Sequence, residues 1–319
     1  MQAIHPYLDD SARADRLSGG VRMIPISTSK GTFNVWTKRH GNNPRIKLLL
    51  LHGGPGATHE FFEPMDSFLP AAGIEYYYYD QLGSWYSDQP KEDELWNLPR
   101  FVDEVEQVRQ ALGLDAGNFY LLGQSWGGIL AMEYALHHQQ HIKGLVISNM
   151  VSSCPAYNDY AHNVLMPQMD QQALAEIKDM EARGDIDNPR YMALLMTQHY
   201  EHHVLRMPYV EWPDPAKRGI AHINPDIYVK MQGPSELGLS GTLENWDRTD
   251  RLHEIEVPTL VMGARHDTMD PAYMKMMAGL LPKGRYHESP QGSHLAIFDD
   301  QETYFAGLID FLVDVDQHG

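Results

Sequence analysis

Cysteine is almost missing from this chain: Cys154 is the only one in 319 residues. No disulfide can therefore close within it, and no thiolate cluster can hold a metal. That fits a reducing compartment, and the chain reads as cytoplasmic. Basic side chains are scarce as well, with 25 Lys and Arg against 43 Asp and Glu and a formal net charge of −18. Such a surface repels phosphate backbones and anionic lipid headgroups, so neither nucleic acid nor a membrane surface is an expected partner. The same field favours cationic ligands such as a free amine only mildly, and it serves solubility in any case. Long apolar runs are also lacking. Met1 to Gly20 is polar and carries acidic residues, without the hydrophobic stretch of a signal peptide or membrane anchor. No internal repeat stands out. What remains is a chain long enough to bury a sizeable core, as one large domain with an insertion or as two modest ones.

Strand and helix patterns alternate along much of it. Val21–Ser27 and Thr32–Lys38 flank a Ser-Lys-Gly turn and predict an edge hairpin. Ile46–Leu51, Glu75–Tyr79, Asn118–Leu122 and Gly144–Ser148 are short, largely apolar runs of the kind that form strands buried on both faces. Helical spacing is seen in Phe101–Leu112 and Ile129–His138. From about Ser152 to Asp247 the alternation stops, and the pattern is helical, rich in Met, His and Tyr and broken by Pro. Asp187-Asn188-Pro189 marks a helix start there, running toward Arg206. Val257–Met262 and Arg285–His287 resume the strand pattern, and Thr303–Val313 predicts a terminal helix. The expectation is a mostly parallel sheet flanked by helices, in three parts: a core over 1–151, a helical cap inserted over 152–247, and the rest of the core over 248–319.

Gly123-Gln124-Ser125-Trp126-Gly127 fits G-x-S-x-G and lies between an apolar strand and a small-residue helix start, the context in which that pattern presents a nucleophilic serine. The glycines let strand and helix approach closely around a strained turn. The Trp126 backbone N–H falls at the helix start, where donors are unpaired and the dipole favours an oxyanion. The loop His52-Gly53-Gly54-Pro55-Gly56 offers a second donor, the Gly54 N–H. A serine hydroxyl needs a base, and in sheets with this elbow the chain order is serine, acid, histidine. Asp267, in Gly263-Ala264-Arg265-His266-Asp267, and His294, in Gly292-Ser293-His294, supply that order on loops after strands. Asp270 is the rival acid, and Asp267 is preferred as the nearer to the strand end. His199 and His203 share a helix face in His199-Tyr200-Glu201-His202-His203, but no third ligand accompanies them, so cap packing is the better reading than metal. Met192, Leu195 and Met196 read as cap core. No cofactor is called for.

Taken together, the HGGPG loop, Asp80-Gln81-Leu82-Gly83-Ser84, the G-Q-S-W-G-G elbow and the Asp267 and His294 loops resemble the proline iminopeptidase family of α/β-hydrolases. The resemblance spans nearly the whole chain and extends into Met231-Gln232-Gly233-Pro234-Ser235-Glu236-Leu237 and Asn245-Trp246-Asp247-Arg248-Thr249. It implies the α/β-hydrolase fold with a cap, and removal of an N-terminal residue, proline preferred, from a small peptide. It also implies that Glu236 grips the substrate ammonium. In tricorn-interacting members the residue after the triad aspartate is a second amine-binding glutamate; here it is Thr268, leaving Asp270, Glu60 or Glu201 to fill that role. Relatives that hydrolyse amino-acid amides such as prolinamide need the same triad, and an esterase or lactonase is the remoter alternative. Neither the oligomeric state nor the preferred first residue is legible in the sequence.

Overall fold

The architecture is that of a computed structural model describing residues 20–318. The reading of Met1 to Gly20 as lacking a leader therefore lies almost entirely outside the described residues. Eight strands form one sheet: β1 (Val21–Thr28), β2 (Gly31–His40), β3 (Lys47–Leu51), β4 (Glu75–Asp80), β5 (Phe119–Gln124), β6 (Gly144–Ser148), β7 (Thr259–Ala264) and β8 (Gly284–Ser289). Their spatial order is β1-β2-β4-β3-β5-β6-β7-β8. The β1–β2 and β2–β4 pairs are antiparallel, and the remaining pairs are parallel.

Helices α1 (Met65–Phe68), α2 (Leu98–Leu112) and α3 (Trp126–His138) fall between strands of the first half. Between β6 and β7 lie α4 (Cys154–Tyr160), α5 (Gln171–Arg183), α6 (Pro189–Leu195), α7 (Asp214–Ala221) and α8 (Pro225–Met231). After β7 come α9 (Pro271–Leu280), α10 (Ala296–Asp299) and α11 (Gln301–His318).

The apolar runs become central strands because both faces of the sheet are covered. Side chains alternate across a strand, so Leu49, Leu51, Leu121, Leu145 and Ile147 enter one core with α2, α3 and α9, while Leu48, Leu50, Leu122 and Val146 enter the other with α11. Several helices begin earlier than apolar spacing indicates. The Asn97 side chain accepts from Arg100 N–H and caps α2, with Pro99 in its first turn. At α6, the Asn188 side chain accepts from Arg190 N–H, and Leu195 leads into a wider π-helical turn over Met196–Val204 rather than a straight helix to Arg206.

The chain runs from central β3 outward to β4 and then back past β3 to β5, so the crevice between β3 and β5 is where the winding direction switches. Open α/β sheets bind ligands there, outside the carboxyl ends of the strands. The segment between β6 and β7 is closed at its base: Ser153 and Asp247 form a bridge, and Ser153 Oγ donates to Asp247 Oδ2 at 2.7 Å. Cys154 is buried, and burial beside Asp247 pushes its thiol up to about 12, so it carries no thiolate at neutral pH. Among the described residues no helix is long and apolar enough to cross a membrane.

Candidate active site

Ser125 sits between β5 and α3 with φ 55° and ψ −126°, a conformation that costs a non-glycine residue energy and is held by its surroundings. Two glycines make this turn possible. A Cβ at Gly123 would lie 1.9 Å from Gly127 O, and one at Gly127 would lie 2.0 Å from Leu51 O. Ser125 N–H donates to Ser148 O at 3.0 Å, and the Ser125 carbonyl accepts from Gly128 N–H. Trp126 is the first residue of α3, so its N–H has no acceptor within the helix.

Gly54 has φ 106°, and a Cβ there would lie 2.6 Å from Ala57 N. Behind it, buried His52 Nε2 accepts from Gln81 N–H at 3.1 Å, which fixes its proton on Nδ1, facing Gly53 O at 2.9 Å. Burial lowers His52 to about 4, so it stays neutral. The Gln81 side chain donates to His52 O at 3.1 Å and accepts from Trp126 Nε1–H at 2.9 Å. One amide thus joins the HGGPG loop to the start of α3.

Asp267 and His294 come together from the loops after β7 and β8. His294 Nδ1–H donates to Asp267 Oδ1 at 2.8 Å, and Asp267 is 0% exposed. The carboxylate is further held by Met269 N–H at 3.2 Å on Oδ1 and Asn149 Nδ2–H at 2.7 Å on Oδ2. Burial alone lowers His294, but the charge and hydrogen bond of Asp267, with the fields of Glu236 and Asp299, outweigh it and raise the imidazole above its ordinary value. With Nδ1–H committed to Asp267, Nε2 is the free ring nitrogen. Ser125, Gly54 and His294 line a single cavity of about 250 Å³, in which Ser125 Oγ makes no hydrogen bond among the described residues. Such contacts often tighten only when substrate arrives.

The cavity walls are mainly apolar, with Phe61, Tyr191, Ile220 and Ile223 among them. Its charged groups, besides His294, are Glu236 and Asp187. Glu236 is held on every side: Tyr228 OH donates to Oε1 at 2.5 Å, Tyr157 OH and His199 Nε2–H donate to its carbonyl at 2.7 and 3.0 Å, and its N–H donates to Tyr200 OH at 3.1 Å.

Several other candidates go elsewhere. Asp270 caps α9, its Oδ1 accepting from Ala272 N–H at 2.8 Å. Glu60 is taken up by Arg218, His222 and Thr58, and Glu201 accepts from Tyr209 N–H at 2.7 Å; neither lines the cavity. Thr268 Oγ1 lies 3.3 Å from Asp267 Oδ1 and 3.4 Å from His294 Nδ1, beside the pair rather than in the cavity. His203 Nδ1–H donates to His266 O at 3.0 Å, and among the described residues no three His, Cys, Asp or Glu side chains converge as a metal would need. Leu195 and Met196 are buried as expected, whereas Met192 lines the cavity.

Three site residues escape the sequence. Gln81 stands in a motif whose resemblance is plain but whose role is not. Asn149 leaves no pattern at all, although its φ of 51° is one that asparagine tolerates well. Asp187 looks only like part of a helix start.

Known proteins resemble this chain in sequence and in fold. The sequence profile of the α/β-hydrolase fold matches residues 47–175. The chain is 56% identical to the proline iminopeptidase of Flavobacterium johnsoniae over 293 residues, covering 92% of this chain and 98% of that one. It is 55% identical to the proline iminopeptidase of Elizabethkingia meningoseptica over 296 residues, with the same coverage. The crystal structure of the Mycobacterium smegmatis proline iminopeptidase superposes with a TM-score of 0.81 at 29% identity, covering 93% of this chain and 99% of that one. VinJ superposes with a TM-score of 0.84 at 31% identity over 92% of this chain and 99% of its own. The chain belongs to the proline iminopeptidase family of α/β-hydrolases.

Proposed function

We propose that this protein is a serine aminopeptidase that releases the N-terminal residue of a short peptide, proline preferred, through an acyl-enzyme. The observation that carries this reading is Glu236, whose carboxylate is held by Tyr228 and whose backbone is held by Tyr157, His199 and Tyr200, in the cavity that Ser125 and His294 also line. An exopeptidase must tell a charged terminus from an interior amide, and a positioned carboxylate does so by pairing with the ammonium.

In the reaction, Ser125 Oγ attacks the first carbonyl carbon while His294 Nε2 takes its proton. The N–H groups of Gly54 and Trp126 hold the tetrahedral oxyanion, each contributing roughly 3 kcal/mol of barrier lowering. Asp267 keeps the imidazole tautomer and stabilises the imidazolium. His294 then protonates the leaving amine, and water repeats the steps on the acyl-enzyme to free the acid. Residues 152–247 act as a cap that encloses the first residue, a division supported by the Ser153–Asp247 bridge at its base. With Asp270, Glu60 and Glu201 engaged elsewhere, Asp187 is the remaining cavity carboxylate that can face a cationic substrate. The reaction takes place in the cytoplasm.

A second reading is favoured by Thr268, which puts a hydroxyl where tricorn-interacting members carry a second glutamate. Without that second glutamate, small leaving groups suit the site, and hydrolysis of amino-acid amides such as prolinamide follows from the same chemistry. The test is kcat/KM on prolyl and alanyl anilides, their N-acetyl forms and prolinamide. Acetylation is expected to lower the rate about 10- to 100-fold, the worth of a charge-assisted hydrogen bond. Equal turnover of acetylated and free substrates would refute both readings, and the ratio of prolinamide to prolyl anilide decides between them.

A further inference from the structure

The π-helical turn Met196–Val204 is bonded both to Glu236 and to the loops that carry Asp267 and His294. At one end His199 Nε2–H donates to Glu236 O at 3.0 Å, and Tyr200 OH accepts from Glu236 N–H at 3.1 Å. These neighbours grip the peptide groups on both sides of the Glu236 side chain. At the other end His203 O accepts from His294 N–H at 2.9 Å, and Val204 O accepts from Leu295 N–H at 2.8 Å. His203 Nδ1–H also reaches the carbonyl of His266, next to Asp267. A single turn of chain thus spans from the carboxylate that meets the substrate amine to the loops that carry the base and its acid.

His199 is an unusual choice for this place. It is 0% exposed, and its Nδ1 is buried without a hydrogen-bond partner among the described residues. Burial and neighbouring His203 lower it to about 3, so the ring is neutral at any working pH. A buried, unpaired acceptor is costly, and a phenylalanine, though somewhat larger, would fill the place without one. The imidazole has one property phenylalanine lacks: an N–H aimed at the Glu236 carbonyl.

We infer that His199 is a positioning residue for amine recognition, holding Glu236 at a set distance from the reacting centre through the π-helical turn. This rests on the proposed role of Glu236. Loss of the N–H lets the Glu236 loop drift, so the ammonium is held less well while the triad, anchored at the far end of the turn, is untouched. The tests are steady-state kinetics on prolyl p-nitroanilide and the inactivation rate by phenylmethanesulfonyl fluoride, which consumes Ser125 but has no amine. His199→Phe is expected to raise KM for the anilide about tenfold, the effect of one hydrogen bond. Inactivation should stay within twofold of wild type, and His199→Gln, which restores an N–H, should recover most of the KM. Tyr200→Phe, which removes the partner of Glu236 N–H, should shift KM in the same direction and serves alone if His199→Phe does not fold.

Parallel loss in both assays, or no change in KM, would overturn the inference. Should Glu236→Gln raise KM while the His199 and Tyr200 variants do not, the aminopeptidase reading survives and only this proposal falls. Should Glu236→Gln leave KM unchanged, both fall.

Discussion

Acid and base roles at the site come from where charges sit around one imidazole. His294 is lifted against its own burial by Asp267, with Glu236 and Asp299 adding to the field. The general base works only when neutral, so activity rises as pH passes upward through its pKa. The acid limb of kcat/KM, which reports free enzyme, is therefore expected above the usual histidine value of about 6.5. Removing a negative neighbour lowers the pKa, so Glu236→Gln should move that limb to lower pH. The bound ammonium neutralises the same carboxylate, and the acid limb of kcat should accordingly lie below that of kcat/KM in wild type. Profiles on prolyl p-nitroanilide check both, and coincident limbs in wild type and variant would contradict the placement of Glu236 in the field of the base. Asp267 could be singled out because it follows a strand and precedes the histidine in the right order. Its second partner, Asn149, was not, because an isolated asparagine after a strand carries no spacing to read.

Among elements, the elbow between β5 and α3 is the most constrained. Gly123, Gly127 and Leu51 bring helix, strand and neighbouring strand closer than any Cβ allows. Gly127→Ala should cost about 3 kcal/mol or more of stability by overpacking, and activity should fall with it as Ser125 is displaced. Denaturant unfolding alongside kinetics measures both, and an unchanged midpoint would contradict the close approach. This element was readable because the need for small residues shows directly as glycine. The π-helical turn was not: His199 and His203 at helical spacing pointed to one face of a regular helix, whereas the wider turn sends them to Glu236 O and His266 O. Local spacing does not reveal which carbonyls tertiary packing brings near a side chain.

For the molecule as a whole, the segment between β6 and β7 is tied to the rest of the chain through groups the sequence offered for another purpose. Buried Glu60 accepts from Thr58 Oγ1 at 3.0 Å, from His222 Nδ1–H at 2.7 Å and from Arg218, while Trp85 stacks on His222 with ring centroids 3.5 Å apart. Asn224 adds a bond from its side chain to Gly83 O at 2.8 Å. Since Arg218 is partly open to solvent, Glu60→Gln should cost about 1–3 kcal/mol. It should lower the melting temperature while leaving the preference for a free amine intact. Loss of that preference would instead return Glu60 to the substrate site. The layered sheet was predictable because buried parallel strands write themselves as apolar runs, Leu48 to Leu51 being the plainest. The docking of the segment between β6 and β7 was not, because it depends on pairs such as Glu60 and Arg218, far apart in sequence.

In the proposed reaction, Glu236 reads a free amine for the Ser125 nucleophile. Its most direct measure is the ratio of kcat/KM for prolyl p-nitroanilide to that for its N-acetyl form, in wild type and in Glu236→Ala. A ratio of about 10 to 100 is expected in wild type, collapsing to within a few-fold of one in the variant because only the free-amine rate falls. A ratio that survives the substitution would show that the amine is recognised elsewhere.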